Sequence, residues 1–340
     1  MPPKICLNIL PPPLRKVSDI AMACERVGLH AIGLVDSPLV APELYLSCSA
    51  SLFATSRLNV FTAVTNPVTR HPSVTASAAL SLSELAPQRV AIGLATGDSA
   101  LWGVGLRPAK VAFLREYIVA PKALMCGEEA TWQGHKFRMH WDNIDPNKAP
   151  PVYVACSGPR VLKMAAQVAD GVIVSMGYSP EDIAYVRSVI SEGCAEVGRD
   201  TKELEVWWFS EFTFGPDPET AMEFALASET HWLIMGGTEG KRIPEEYKPL
   251  LRELHSDTFD LDTYLKDPDR GRVLAKRAKK LGISDWLVAR SARLWGTPND
   301  IGNRFQELQA QGLENWWLAL LNWDLEQLKA VEMLGTAIGR

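Results

Sequence analysis

Short apolar runs rich in β-branched residues alternate along the chain with longer stretches in which apolar residues recur at helical spacing. This order of strand, helix, strand, helix is typical of a parallel sheet. The predicted strands cover residues 4–10, 31–35, 59–64, 90–94, 152–155, 171–175, 205–213 and 315–321. Eight strand–helix units within 340 residues predict a single (β/α)8 TIM barrel of the α/β class, because a doubly wound sheet rarely needs eight parallel strands.

Several predicted helices begin with the same local pattern. Residues 179–182, 217–219 and 297–300 each place a serine, aspartate or threonine before a proline and an acidic residue. A small polar side chain there can accept a hydrogen bond from the free N–H groups of the first turn, where proline is also tolerated. The pattern therefore predicts three helix starts.

Two segments are longer than ordinary connections between strands and helices. Residues 131–150 are polar and aromatic, and residues 231–293 contain helical periodicity of their own. Within a single barrel domain spanning residues 1–340, we expect both insertions to lie at the C-terminal mouth, where barrel enzymes hold their active sites.

Composition narrows the classes of function. Hydrophobic residues make up 47% of the chain and charged residues 22%, which is typical of a globular enzyme. The net charge of −5 disfavours nucleic acid as a partner. The cysteines are scattered without close pairs, and the first residues lack a signal or membrane segment, so we expect a cytoplasmic protein with no membrane partner. His135 and His140 are five positions apart, a spacing that suits no ligand pair, and no metal site is expected.

Two polar segments follow the third and fourth predicted strands. Residues 61–72 contain Thr65, Asn66 and Arg70 at the end of the third strand, where a barrel places its active site. Residues 93–99 follow the fourth strand and contain Gly97 and Asp98. An aspartate in such a turn either faces the mouth or caps the following helix, and the residues alone leave both readings open.

A third segment, residues 155–162, joins a strand to a helix through Ser157, Gly158, Pro159 and Arg160. Free N–H groups at a helix start, small side chains and a nearby arginine favour a phosphate-binding site. A second helix start, at Gly177 after the next strand, is placed to face the same ligand.

These three segments, in this order and over nearly the whole chain, resemble the luciferase-like flavin and deazaflavin oxidoreductases. The similarity is greatest to the branch with methylenetetrahydromethanopterin reductase and F420-dependent glucose-6-phosphate dehydrogenase. The resemblance implies hydride transfer between a cofactor, with coenzyme F420 favoured over FMN, and a small organic substrate. It also implies a homodimer. Because the sequence has no nicotinamide-binding fingerprint, a separate reductase would supply the reduced cofactor.

The resemblance also assigns residues to the cofactor. It implies a non-prolyl cis peptide at Ala63-Val64 behind the central ring, with Thr65 and Asn66 at the ring edge. The cofactor-binding residues expected on this basis are Asp36, Ala63, Val64, Thr65, Asn66, Gly97, Ser157, Gly158, Pro159, Arg160 and Gly177.

The expected catalytic residues are Asp98 and Asp36, which would manage the proton. Asp98 occupies the position of an acidic catalytic residue in the related sugar-phosphate dehydrogenases. The F420-dependent branch that the chain resembles commonly has Asp-His after the second strand, whereas this chain has Asp36-Ser37. A hydroxyl cannot replace imidazole in proton transfer near neutral pH, which disfavours glucose-6-phosphate oxidation by that route. His71, before a helix-starting proline, is interpreted as structural.

Two alternatives remain open. An FMN-dependent two-component monooxygenase would use reduced flavin and dioxygen in the same cleft. A catalytically inactive binding barrel is the other, and the absent histidine favours it. The presence of Asp36, Asp98 and Asn66-Pro67 together argues against an inactive protein.

Overall fold

The computed structural model describes residues 3–254, 270–320 and 326–339. Its strands are β1 (Lys4–Ile9), β2 (Ala31–Leu34), β3 (Asn59–Thr65), β4 (Val90–Leu94), β5 (Ala130–Trp132), β6 (His135–Phe137), β7 (Val152–Cys156), β8 (Gly171–Val174), β9 (Glu205–Phe214), β10 (Trp295–Gly296) and β11 (Asn315–Leu320). Eight of them close in the order β1-β2-β3-β4-β7-β8-β9-β11, all neighbours being parallel. The predicted TIM barrel is confirmed. Residue 321, the predicted end of the last strand, lies outside the described residues.

Helices follow the strands and cover the outside of the barrel. They are α1 (Leu14–Arg26), α2 (Leu44–Ala54), α3 (Pro72–Leu85), α4 (Ser99–Trp102), α5 (Val111–Met125), α6 (Pro159–Val168), α7 (Pro180–Ala195), α8 (Pro218–Ile234), α9 (Tyr247–Leu254), α10 (Arg270–Lys280), α11 (Ser284–Arg290), α12 (Pro298–Ala310) and α13 (Gln327–Ala337). Short 3₁₀ turns occupy Pro146–Lys148 and Thr201–Glu203. Within the three described ranges, no helix combines the length and apolar character needed to cross a bilayer.

The three predicted helix starts are confirmed. The Ser179 side chain accepts a hydrogen bond from the Asp182 N–H, and the Thr297 side chain accepts one from the Asp300 N–H. Asp217 accepts from the N–H of Thr220 in the same way at the start of α8. Each side chain thus satisfies a donor that has no partner within its own helix.

Strand residues alternate between two hydrophobic cores. Trp208 of β9 belongs to the core between barrel and helices, whereas its neighbour Trp207 belongs to the core inside the barrel. Inside, Phe61 stacks on Trp317 with 5.6 Å between ring centroids, and Trp207 meets Phe61 edge-on at 6.0 Å. These rings fill the interior of the barrel, so the open space lies beyond them, at the carboxyl ends of the strands.

The two long segments take different courses. In residues 131–150, the β5–β6 hairpin lies along α5, where Trp132 packs edge-on against Phe113 with 4.7 Å between ring centroids. In residues 231–293, the described helices form a hydrophobic cluster of their own that includes Leu251, Leu274 and Leu287. Residues 255–269 of this second segment lie outside the described residues.

Candidate active site

A cleft of about 250 Å³ opens at the carboxyl ends of the barrel strands. Of the residues expected from the sequence, those lining it are Asp36, Ala63, Val64, Thr65, Asn66, Gly97, Asp98 and Ser157. The structure therefore brings together side chains from four separate strand ends. The hairpin segment 131–150 contributes none of the described lining residues, whereas Trp232 and Met235 from the second segment do line the cleft.

The remaining expected residues lie next to this cleft rather than in its lining. Gly158 and Pro159 begin α6 directly after Ser157, and the Arg160 side chain is exposed. Gly177 borders an adjoining cavity of about 30 Å³, which shares Glu211 with the main cleft.

The centre of the cleft wall is an irregular part of β3. Its pairing with β4 shifts between Thr62 and Thr65, and the peptide bond Ala63-Val64 is cis, as the family resemblance implied. The Thr62 hydroxyl bridges the shift, because it donates to the Gly93 carbonyl at 2.9 Å and accepts from the Gly93 N–H at 2.8 Å. The ladder thus stays hydrogen-bonded while β3 bulges towards the cleft.

Two glycines on the neighbouring strands leave space for this bulge. A Cβ atom on Gly33 of β2 would lie 2.7 Å from the Ala63 Cβ. A Cβ atom on Gly93 of β4 would clash with the Thr62 carbonyl oxygen and lie 2.9 Å from the Val64 Cγ1. Glycine is therefore needed at both positions for close packing of the backbone.

Asn66 follows the bulge with its carboxamide held in one orientation. Its Oδ1 accepts hydrogen bonds from the Val68 N–H at 3.0 Å and from the Thr69 N–H at 3.0 Å. The buried Nδ2 has no hydrogen-bond partner among the described residues. A buried donor without a partner at a cleft wall indicates where a ligand carbonyl or ring nitrogen can bind.

Asp36 is held in an ion pair below the rim of the cleft. Its Oδ2 accepts hydrogen bonds from the Thr65 hydroxyl at 2.6 Å and from the Arg70 guanidinium, and the carboxyl group is buried. Arg70 also donates to Glu43 at 3.0 Å. These contacts fix the loop after β3, so they favour a positioning role for Asp36.

Asp98 caps α4 and also lines the cleft. The two roles that the sequence left open for it, a helix cap and a residue facing the mouth, are therefore compatible. Its Oδ1 accepts hydrogen bonds from the Ser99 N–H and, at 3.1 Å, from the Ser99 hydroxyl. The Ser37 hydroxyl donates to that of Ser99 at 3.2 Å. Burial raises the pKa of Asp98 above its ordinary value, and the hydrogen bonds from Ser99 oppose the rise only in part.

His71 serves as the cap of α3. Its Nδ1 accepts a hydrogen bond from the Ser73 N–H at 3.3 Å, and the exposed ring lies outside the cleft lining. The structural interpretation of this histidine is confirmed.

Sequence reasoning missed two buried polar residues. Glu211 lies on the inward face of β9, two residues after Phe209, and lines both cavities. A charged residue within the inward alternation of a barrel strand was the available signal. Lys241 lies 3.3 Å from the position of a Gly158 Cβ and donates to the carbonyls of Trp232 and Met235. Burial, with a smaller contribution from Arg290, lowers the pKa of Lys241 to about 7.

The chain belongs to the luciferase-like monooxygenase family, whose sequence profile matches residues 5–315. It is 27% identical over 222 residues to 5,10-methylenetetrahydromethanopterin reductase of Methanolobus tindarius, covering 63% of this chain and 66% of that one. It is 28% identical over 291 residues to F420-dependent glucose-6-phosphate dehydrogenase of Microbacterium testaceum, covering 78% and 84%.

A solved structure shares the fold over almost the whole length. The coenzyme F420-dependent tetrahydromethanopterin reductase of Methanopyrus kandleri superposes with a TM-score of 0.72 at 20% identity, covering 98% of each chain. The resemblance drawn from the three polar segments is therefore confirmed at the level of the family. This protein is a member of a luciferase-like oxidoreductase family that contains F420-dependent enzymes.

Proposed function

We propose that this protein is an oxidoreductase that uses coenzyme F420 to transfer hydride to or from a small organic substrate. The observation that carries the proposal is the cleft itself, in which the β3 bulge, Asn66, Asp98 and Ser157 face one space. The F420-dependent relatives favour this cofactor over FMN.

The described residues suit a planar cofactor with a phosphate group. Ala63 and Val64 would support one face of the ring, and the Asn66 Nδ2 would donate to a polar atom at its edge. The N–H groups at the start of α6, next to Ser157, would bind the phosphate, because helix N-termini favour anions. Gly158 has no side chain that could cover these N–H groups, and among the described residues a Cβ at this position would meet the Lys241 side chain alone.

When bound, F420 supplies the hydride-accepting or hydride-donating carbon. The protein would orient the substrate against the ring and hold a proton near it. Asp98 is the proposed proton-handling group, because it lines the cleft and its raised pKa brings it nearer to neutrality. Asp36 would keep the loop after β3 in place through Arg70. The reduced cofactor would come from a separate reductase.

We expect the purified protein to bind F420 with micromolar or tighter affinity and FMN at least about 10-fold more weakly. Fluorescence titration with each compound measures both affinities. Tight FMN binding without any response to F420 would contradict the proposed cofactor and favour the two-component monooxygenase. Binding of neither compound would favour the inactive barrel.

We also propose a homodimer formed through α2 and α3. The α2 helix contains no charged residue, yet Leu46 and Phe53 are 58% and 76% exposed. Val74 of α3 is also exposed. A helix without a polar face is normally covered, and a second copy would cover this one.

The dimer predicts a mass of twice 37.5 kDa by size-exclusion chromatography with light scattering. Replacing Phe53 with lysine should shift the mass to that of one chain, because a charge would be buried at the interface. An exposed control, Val197→Lys just after the end of α7, should leave the mass unchanged. A wild-type mass of one chain would contradict the proposal.

A further inference from the structure

The cleft has a second polar end that the proposed cofactor contacts do not use. Glu211 of β9 is in register with Ala319 of β11, which is in register with Asn8 of β1. All three residues line the cleft. At this level of the barrel wall, the small Ala319 side chain therefore lies between the Glu211 carboxyl group and the Asn8 carboxamide.

Aromatic rings surround this end of the cleft. Phe209 and Trp232 line both cavities with Glu211, and their rings meet edge-on with 5.2 Å between centroids. Trp317 lies in the wall below and is almost fully buried. A carboxylate among aromatic faces is the combination that recognises organic cations, through charge pairing and cation–π attraction.

The charges around the cleft favour the same class of ligand. The acidic residues in the described part of the lining are Asp36, Asp98 and Glu211. Lysine, arginine and histidine are absent from the described part of the lining.

The adjoining cavity does contain a cation, Arg290. Its guanidinium lies 3.3 Å from the Asp182 carboxylate and donates to the carbonyls of Met176 and Lys241. Asp182 also pairs with Arg242 at 3.2 Å. These contacts link Arg290 both to the segment that follows β8 and to the loop between α8 and α9.

We propose that Glu211 recognises a substrate with a positively charged amine on an apolar body, the amine lying between the carboxylate and the rings of Phe209 and Trp232. That this ligand is a substrate rests on the proposed redox function, whereas recognition of the amine does not.

Three probes of one shape test the charge preference without a cofactor. Benzylamine is a cation at pH 7, benzyl alcohol is neutral and benzoate is an anion. Isothermal titration calorimetry on the full-length wild-type protein should give benzylamine an affinity at least 10-fold higher than that of benzyl alcohol, with benzoate the weakest. Equal affinities for the amine and the alcohol, or tightest binding of benzoate, would overturn the proposal.

The Glu211→Gln variant assigns the preference to one side chain. It should lose the advantage of benzylamine while retaining the affinity for benzyl alcohol. The control Glu223→Gln, which removes a half-exposed carboxylate on α8, should behave as wild type. If the advantage persists in Glu211→Gln and disappears in Asp98→Asn, the assignment to Glu211 is wrong. If Glu211→Gln does not fold, the wild-type comparison of the three probes decides.

This experiment separates the amine proposal from the redox proposal. Failure of the probes leaves F420 binding untouched, and failure of F420 binding leaves the probe affinities as a test of the cleft alone.

Discussion

Replacement of Asp98 with asparagine is expected to lower the turnover number by about 100-fold or more, since proton transfer by a positioned carboxyl group contributes on that order. Asparagine keeps the size of the side chain and an oxygen that can accept from the Ser99 N–H. The cap of α4 therefore remains, and only the titratable group is lost. Steady-state kinetics with F420 and an oxidisable substrate measure the effect.

Stability provides the control for this variant. Because the pKa of Asp98 is raised in the folded state, the folded protein binds the proton more readily than the unfolded chain. The free energy of unfolding therefore decreases as the pH rises from the ordinary aspartate pKa through the raised value. Asparagine cannot ionise, so it removes the free-energy cost of burying the charged carboxylate. Asp98→Asn should therefore be at least as stable as wild type at pH 7. Unchanged turnover in a stable variant would favour the inactive barrel or a different acid.

Replacement of Gly93 with alanine is expected to destabilise the protein by about 3 kcal/mol, at the upper end of overpacking costs, and to abolish F420 binding. The added Cβ would clash with the Thr62 carbonyl oxygen and lie 2.9 Å from the Val64 Cγ1. These atoms cannot move away without breaking the hydrogen bonds between Thr62 and Gly93. Denaturant unfolding and fluorescence titration measure the two effects.

Gly158→Ala is the matched control for stability. Its backbone is extended, and among the residues that the structure describes the new Cβ would meet the Lys241 Cε alone, at 3.3 Å, which is part of a flexible side chain. We expect its free energy of unfolding to stay within about 0.5–1 kcal/mol of wild type. A Gly93→Ala variant as stable as Gly158→Ala and still binding F420 would show that the bulge tolerates a side chain there.

The barrel could be predicted from sequence because each strand carries its own signal. Residues 90–94 and 171–174, for example, are apolar runs bounded by turn residues, and such runs need no knowledge of distant contacts. The capped helix starts at Ser179 and Thr297 are equally local. Local chemistry thus determined the order of the elements, and the order determined the closed sheet.

The contacts that shape the site depend on distant pairs and could not be predicted in this way. Arg70 binds Asp36 across 34 positions, and Gly93 makes room for the bulge that follows Thr62. Gly33 or Gly93, considered alone, is only a small residue in a strand. The position of Trp132 against α5 likewise depends on which partners the folded chain presents. Glu211 left a local signal, its charge within an inward-facing alternation, and a period-two reading of β9 would have found it.

A crystal structure of the protein grown with F420 tests the central claim most directly. We predict that the tricyclic ring lies against Ala63 and Val64, with the Asn66 Nδ2 donating to its edge and the phosphate beside Ser157 at the start of α6. A cofactor bound elsewhere, with Asn66 and Asp98 making no contact with it, would contradict this account.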